Sequence, residues 1–512
     1  MTPDPADPRE PGALLHSLLD GAAADAPDAA AIRDPGGHWS YAELSRLSHA
    51  AAGWLSRQGV AAGDRVLVQA PNRRELAALL FGCSRIGAIF VPVNPGMKTF
   101  HLRSVLTNCE PRVVLTGAAP DPAVTEFAAA AGIAPAAVHE IGAVWPEVAA
   151  TAPASPGPGT VSSGEVAVLN YTSGSTAAPK AVICPHAAMV FAARAVGSVL
   201  GYRPEDVVFC RLPLSFDYGL YQILLSCLAR AELVLAGGEL DVTLLRQIRQ
   251  AGSTVVPVVP SLAGMLVRLA GRDPGPNRVR LFTNTGAALA GATIDALRDQ
   301  FPGAQVVRMF GITECKRVSI MPLDAGQDRP ASVGLPLPGT EVVILDDGGV
   351  PVPAGQTGQI VVGGPHVMAG YWRAPEITAR VFRRDGRTGR VWLHTGDYGH
   401  VDEDGYLYFE GRRDDMFKHK GARTSTLEIE AAALDIPGVR GVAVPRPADG
   451  GALEIWAATD AAPGEVLRAL AARLEPAKVP DVCHVVDHIP LTPNGKTERR
   501  DLPGRTEPQE AR

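Results

Sequence analysis

The chain has no pair of cysteines spaced as C-x-x-C. Its seven cysteines, Cys83, Cys109, Cys184, Cys210, Cys227, Cys315 and Cys483, are scattered along 512 residues, so neither a zinc site nor a disulfide framework is indicated. It has no excess of one charge. Lys and Arg number 48 against 54 Asp and Glu, a net charge of −6, which argues against nucleic acid as the main partner. No apolar run approaches the ~20 residues needed to cross a bilayer, so no membrane partner is expected. The opening residues Met1-Thr2-Pro3-Asp4-Pro5 have neither the basic nor the apolar stretch of a secretory leader, and a cytoplasmic location is the expectation. The Walker pattern G-x-x-x-x-G-K-[ST] is also missing.

What is present fits an ordinary globular protein, 46% hydrophobic and 20% charged. The length is too great for one compact core, so two or more domains are expected. Gly and Pro are both high, at 54 and 44, and with abundant Ala and Arg this reads as compositional bias. Up to about residue 330, short apolar runs alternate with helical patterns. Strands are predicted at 65–69, 88–93, 207–209, 233–235 and 280–283, and helices at 41–58, 74–86, 186–200 and 221–229. Asp241 and Ser261 are expected to cap two further helices, the first ended by Gly252. Strand, helix, strand in succession implies parallel sheets with crossover helices. Residues 151–164 form a Pro/Gly/Ser linker. Past about Gly334, short strands lie between Gly-rich turns, the pattern of a small β-rich subdomain. From Arg412 onward the pattern is that of a separate α+β unit.

One stretch organises the rest: Tyr171-Thr172-Ser173-Gly174-Ser175-Thr176-Ala177-Ala178-Pro179-Lys180. It follows an apolar run, Val166-Ala167-Val168-Leu169, that reads as a buried strand. Small residues let the backbone turn several N–H groups toward one spot. The hydroxyls add donors and Lys180 adds a positive charge, a combination suited to a triphosphate.

The stretch resembles the phosphate loop of the adenylate-forming superfamily, which includes acyl-CoA synthetases and stand-alone adenylation ligases. Ala177 departs from the Gly or Ser usual there. The resemblance assigns ATP/AMP binding to Thr172, Ser173, Gly174, Ser175, Thr176 and Lys180. Further motifs follow in the family's order. Phe310-Gly311-Ile312-Thr313-Glu314 resembles the aromatic-Gly-x-Thr-Glu motif: Phe310 lies along adenine, Gly311 and Thr313 border the nucleotide, and Glu314 holds Mg2+ together with Thr176. Asn284-Thr285-Gly286-Ala287-Ala288 resembles the segment bordering adenine (Gly286, Ala287) and the acyl group (Ala288). Thr395-Gly396-Asp397 supplies a carboxylate that can accept both ribose hydroxyls, with Arg412 as a second ribose contact. Pro493-Asn494-Gly495-Lys496 resembles the catalytic-lysine motif, and a cation there would offset charge gathering on oxygen during attack at phosphorus. Lys418, Gly421 and Arg423 match the second-half-reaction motif, with Asp414 at the hinge.

The resemblance implies an α/β fold: a large N-terminal domain, residues 1–411, of two stacked parallel-type sheets plus a β-rich subdomain, and a mobile α+β lid, residues 412–512. It implies ATP-dependent activation of a small carboxylic acid to an acyl-adenylate with release of pyrophosphate. The acyl group then passes to the thiol of CoA or of a carrier-protein pantetheine. ATP and Mg2+ are the expected cofactors, with CoA as a co-substrate. Coupling to a small amine, activation of an amino acid, and a non-catalytic nucleotide-binding relative are the alternatives.

The acyl pocket should lie beside Phe216, Asp217, Tyr218, Ala288, Lys316 and Val318. Phe216-Asp217-Tyr218-Gly219 resembles the Phe-Asp-x-Ser motif whose Asp binds an amino-acid ammonium, but the Ser is missing. A carboxylate in an apolar pocket is costly without a partner. For Asp217 that partner is a substrate ammonium, an incoming amine, or Lys316 or Arg317. Lys496→Ala should abolish adenylate formation, read as pyrophosphate exchange into ATP, yet still use a preformed acyl-adenylate, whereas Lys418→Ala should impair mainly the second step.

Overall fold

The computed structural model describes residues 14–503 apart from 98, 119–124, 127–136, 154–160, 173–179, 237–240, 324, 326–327, 413–415, 420–421, 448–450, 492–496 and 500. Two sheets dominate. The first runs in the order Gln305–Val307, Leu281–Asn284, Val255–Val258, Val207–Cys210, Glu232–Leu235, Ala30–Asp34, Gly37–Ser40. All neighbours are parallel except the last pair. The second runs Val138–Glu140, Val113–Thr116, Arg65–Gln69, Ile89–Val93, Val166–Thr172, Lys180–Pro185, again parallel except for the final hairpin. Their inner strands are rich in Val, Ile and Leu and largely buried, as parallel sheets covered by helices require. Helix Glu75–Arg85 has every residue buried. Helix Leu15–Asp25 touches both it and helix Asp217–Ala229, and so joins the helical layers of the two sheets.

Three smaller units follow. Met309–Phe310, Ser319–Ile320 and Leu335–Pro336 make a short antiparallel sheet. Glu341–Leu345, Gly358–Gly363, Phe382–Arg384, Val391–Val401 and Leu407–Arg412 make the expected β-rich unit. The last portion has a hairpin, Met416–His419 with Ala422–Ser425, and a three-stranded sheet, Gly441–Ala443, Glu454–Ala458 and Val482–Val486, with helices Thr426–Leu434 and Pro463–Ala471. One continuous core runs from Leu15 to Leu407. A different one gathers Phe417, Ile429, Ile455, Val466 and Leu470. Among the described residues no helix is long and apolar enough to cross a membrane.

Four local expectations change. Asp241 does not cap its helix: a 3-10 turn, Asp241–Thr243, comes first, and the helix Leu244–Gln250 follows Thr243. The helix expected at 221–229 begins at Asp217, four residues earlier, because Phe216 turns the chain from extended into helical backbone. Ser261 is not a cap: the helix starts at Pro260 with Val259 before it, since proline pre-sets the first helical φ. Residues 180–185, which lacked a distinct strand pattern, pair antiparallel with 166–172.

A carboxylate staples the amino ends of the first sheet. Asp206 accepts from the Arg203 N–H at 2.8 Å, Thr254 Oγ1 at 2.7 Å and Arg280 Nε at 2.8 Å, linking the approaches to three adjacent strands. Burial alone would raise its pKa, but the Arg280, Thr254 and Arg203 bonds outweigh that and hold it below the usual carboxylate range. A depressed folded-state pKa means stability that is complete above the unfolded value of ~3.9 and lost as pH falls through the folded one. Asp206→Asn should cost about 2–3 kcal/mol at pH 7, measured by urea unfolding, and the gap from wild type should close below about pH 4.

Candidate active site

The site lies where the carboxyl ends of both sheets meet the small subdomains. Asn72, just past strand Arg65–Gln69 of the second sheet, donates to Leu212 O and accepts from Leu214 N, both at 2.8 Å. This side chain fixes the loop that leads from the first sheet into Asp217. Gly219 explains the missing Ser: a Cβ there would sit 2.2 Å from Pro213 O, so only glycine lets the helix start pack on its own loop. Asp217 is 7% exposed and opens the helix. Phe216 precedes it half-buried. Tyr218 is buried and donates to Thr283 Oγ1 at 2.8 Å.

Opposite stand Lys316 and Arg317. The turn that carries them needs Gly311, where a Cβ would meet Lys316 O at 2.3 Å. Lys316 has a left-handed backbone, φ 65°, a conformation that costs a side-chain-bearing residue about 1–2 kcal/mol. It is 2% exposed, and its Nζ has no hydrogen-bond partner. The Nζ lies 5.9 Å from the Tyr221 ring centre. Nearby, burial pushes the Cys184 thiol up, an effect Lys316 opposes. Arg317 donates to Thr285 Oγ1 and Lys316 O at 2.7 Å and covers the Tyr218 ring at 4.2 Å. Among the described residues, neither base forms an ion pair with Asp217. Val196, Asp217, Tyr218, Tyr221, Lys316 and Arg317 enclose a cavity of about 10 Å³, near the minimum for one water. Val318 is fully buried, its N–H bonded to Phe310 O at 2.9 Å. Ala288 is exposed with Gly286 and Ala287, on the turn after strand Leu281–Asn284.

At the other end of the site, Phe310 stacks on Phe409, centroids 4.9 Å apart and 25° from parallel. Gly311, Thr313 and Glu314 follow it in a half-buried turn. Glu314 Oε1 accepts from the Tyr371 hydroxyl at 2.5 Å. Burial first, and then the Glu314 carboxylate, push the Tyr371 pKa up. Asp397 is buried, faces Arg412 across the strand pair, and is bridged to it by Arg412 Nε at 3.3 Å. Thr172 and Lys180 face each other at the end of the hairpin that brackets residues 173–179. Ser173, Gly174, Ser175, Thr176, Asp414, Gly421 and Lys496 lie outside the described residues, as do the side chains of Lys418 and Arg423. Glu314 keeps one carboxylate oxygen clear of Tyr371, a hard donor that fits Mg2+. Among the described residues no three His, Cys, Asp or Glu gather.

Phe409, Asn72, Thr283 and Tyr371 carry no motif that marks them in the sequence. Each acts across 55 or more residues of sequence, and no local spacing announces such a partner.

The family model described as AMP-binding enzyme matches residues 19–372. A sulfoacetate–CoA ligase of Cupriavidus necator is 31% identical over 482 residues, covering 88% of this chain and 90% of its own. A solved structure of VinN with L-aspartate is 49% identical with a TM-score of 0.71, covering 79% of this chain and 100% of its own; VinN has also been solved with 3-methylaspartate. ATP-bound MatB from Rhodopseudomonas palustris is 27% identical with a TM-score of 0.84, covering 95% and 97%.

Lys316→Met should stabilise the ligand-free protein by about 1–3 kcal/mol, because it replaces a buried, unpartnered cation by an apolar side chain of similar length. Urea unfolding checks this, and a loss of stability would show that the amine is satisfied within the fold.

Proposed function

The chain belongs to the AMP-binding enzyme family and is an AMP-forming ligase that activates a carboxylic acid through its adenylate; from that premise we propose that the acid is an amino dicarboxylic acid of the aspartate type. The observation that carries this reading is the unpartnered Lys316 Nζ in the same cavity as Asp217. A simple monocarboxylate would leave both charges uncompensated in a site that excludes water, which is costly. An acid with an ammonium and a second carboxylate answers both, the ammonium at Asp217 and the carboxylate at Lys316 and Arg317. The VinN complexes with L-aspartate and 3-methylaspartate support the same class.

In the reaction, the substrate's other carboxylate attacks the α-phosphorus of ATP, one P–O bond forms and pyrophosphate leaves. Thr172 to Thr176 and Lys180 hold the phosphates, Phe310 backed by Phe409 lines the base, and Asp397 with Arg412 takes the ribose. A bound Mg2+, held by Glu314 and Thr176, would neutralise phosphate charge. Lys496 brings positive charge to the oxygens gathering it. We take residues 412–512 as a lid that pivots at Asp414, withdrawing Lys496 and presenting Lys418, Gly421 and Arg423. A thiol, CoA or carrier-protein pantetheine, then loses its proton and attacks the acyl carbon, displacing AMP. The seven free cysteines accord with a reducing cytoplasm.

Pyrophosphate exchange into ATP across an acid panel tests the assignment. Aspartate and its short relatives should support exchange, and mono-acids of equal length should fall short by about 100-fold or more. Asp217→Asn should abolish the preference for an ammonium. Equal exchange with an acid that lacks the ammonium would refute the assignment. Adding CoA, a pantetheinylated carrier or amines afterwards identifies the acceptor.

A further inference from the structure

The geometry points to Tyr371 as the positioning residue for Glu314, and to residues 368–372 as the strap that ties this carboxylate to the strand leaving the phosphate loop. The inference rests on the reading of Glu314 as the carboxylate at the phosphate end of the site.

Two bonds join Glu314 to the strap. The Tyr371 hydroxyl donates to Oε1 at 2.5 Å, and the Met368 N–H donates to the Glu314 carbonyl at 2.9 Å. The strap is in turn zipped onto strand Lys180–Pro185. Ala369 N–H donates to Ile183 O at 3.1 Å, Ile183 N–H to Gly370 O at 2.9 Å, and Trp372 N–H to Ala181 O at 2.8 Å. Tyr371 thus sits directly opposite Val182. Lys180, at the head of that strand, is where the chain emerges from the loop of hydroxyls.

The Tyr371 ring cannot swing away easily. It is 8% exposed and meets Phe382 edge-on, 5.5 Å between centroids. Its own N–H donates to Thr378 Oγ1 at 2.9 Å. With the backbone pinned on one side and the ring on the other, the hydroxyl has one direction in which to point. One oxygen of Glu314 is thereby held, and the other is presented in a fixed direction. A carboxylate on a turn would otherwise sample several rotamers, and ordering it would have to accompany nucleotide binding. Without the hydroxyl, the carboxylate's charge stays and its aim is lost.

Tyr371→Phe tests this, because it keeps the ring and removes only the hydroxyl. Three readouts are taken on the whole protein: affinity for Mg·ATP by calorimetry, KM for Mg·ATP against KM for the acid in pyrophosphate exchange, and the thermal midpoint. The expected result is Mg·ATP binding weakened about tenfold or more, with the KM for the acid and the midpoint nearly unchanged. In a double-mutant cycle, Tyr371→Phe added to Glu314→Gln should have little further effect. If Glu314→Gln weakens Mg·ATP binding while Tyr371→Phe leaves it within twofold, or if the two effects add in full, the positioning role is overturned. If Glu314→Gln itself leaves nucleotide binding and exchange intact, the reading of Glu314 fails, and the inference with it. A collapse of the midpoint in Tyr371→Phe alone would assign the hydroxyl to the fold and overturn the proposal.

Discussion

The site depends on a seam of backbone hydrogen bonds between residues 369–372 and the strand Lys180–Pro185. Strand Val166–Thr172 is buried inside the second sheet, and Lys180–Pro185 is its antiparallel edge. An edge strand offers unpaired N–H and C=O groups, and here they are taken by a segment that belongs to the β-rich unit. One row of bonds therefore joins the second sheet to the unit that carries Asp397. Glu314 is tied to the same row through Met368 and Tyr371. Three stretches far apart in sequence are held in one register by groups that every backbone possesses, and the side chains only refine the aim.

The acid end obeys a different physics. Asp217, Lys316 and Arg317 are placed by constraints unfavourable in themselves: a left-handed backbone at Lys316, and a buried amine without a partner. Unfavourable terms of this kind persist only where the surroundings over-determine them. Gly311 and Gly219 show how. At both positions the neighbouring backbone comes so close that no side chain fits, so the two turns that present the charges are packed against rigid chain. The opposite charges flank one cavity yet remain apart.

Much of this was legible in the sequence. The hydroxyl-rich loop, the Thr-Glu, Thr-Gly-Asp and Gly-Lys motifs and their order pointed to the family and to the two-sheet fold, because each motif is local and its chemistry is carried by neighbours in the chain. Asp217 and Lys316 could be suspected because a charge in an apolar stretch demands a partner. What the sequence did not disclose was non-local. Tyr371 lies 57 residues from Glu314, Asn72 lies 140 from Leu212, and Phe409 is one aromatic among several on an ordinary strand. The antiparallel return at 180–185 was missed for a related reason. Its Lys-Ala-Val-Ile-Cys-Pro run is short, and the strand is decided by the partner on each side.

The strand Leu407–Arg412 draws these threads together. Leu407 is the last member of the large core, and Phe417 the first of the separate core that follows. Between them, on one strand, stand Phe409 behind Phe310 and Arg412 against Asp397. The ring behind Phe310 and the partner of Asp397 are therefore both supplied by the last strand before the second core. The ion pair joins an exposed Arg412 side chain to a buried Asp397, so the end of this strand is held to the interior of the large unit by a charge that could not be left there alone.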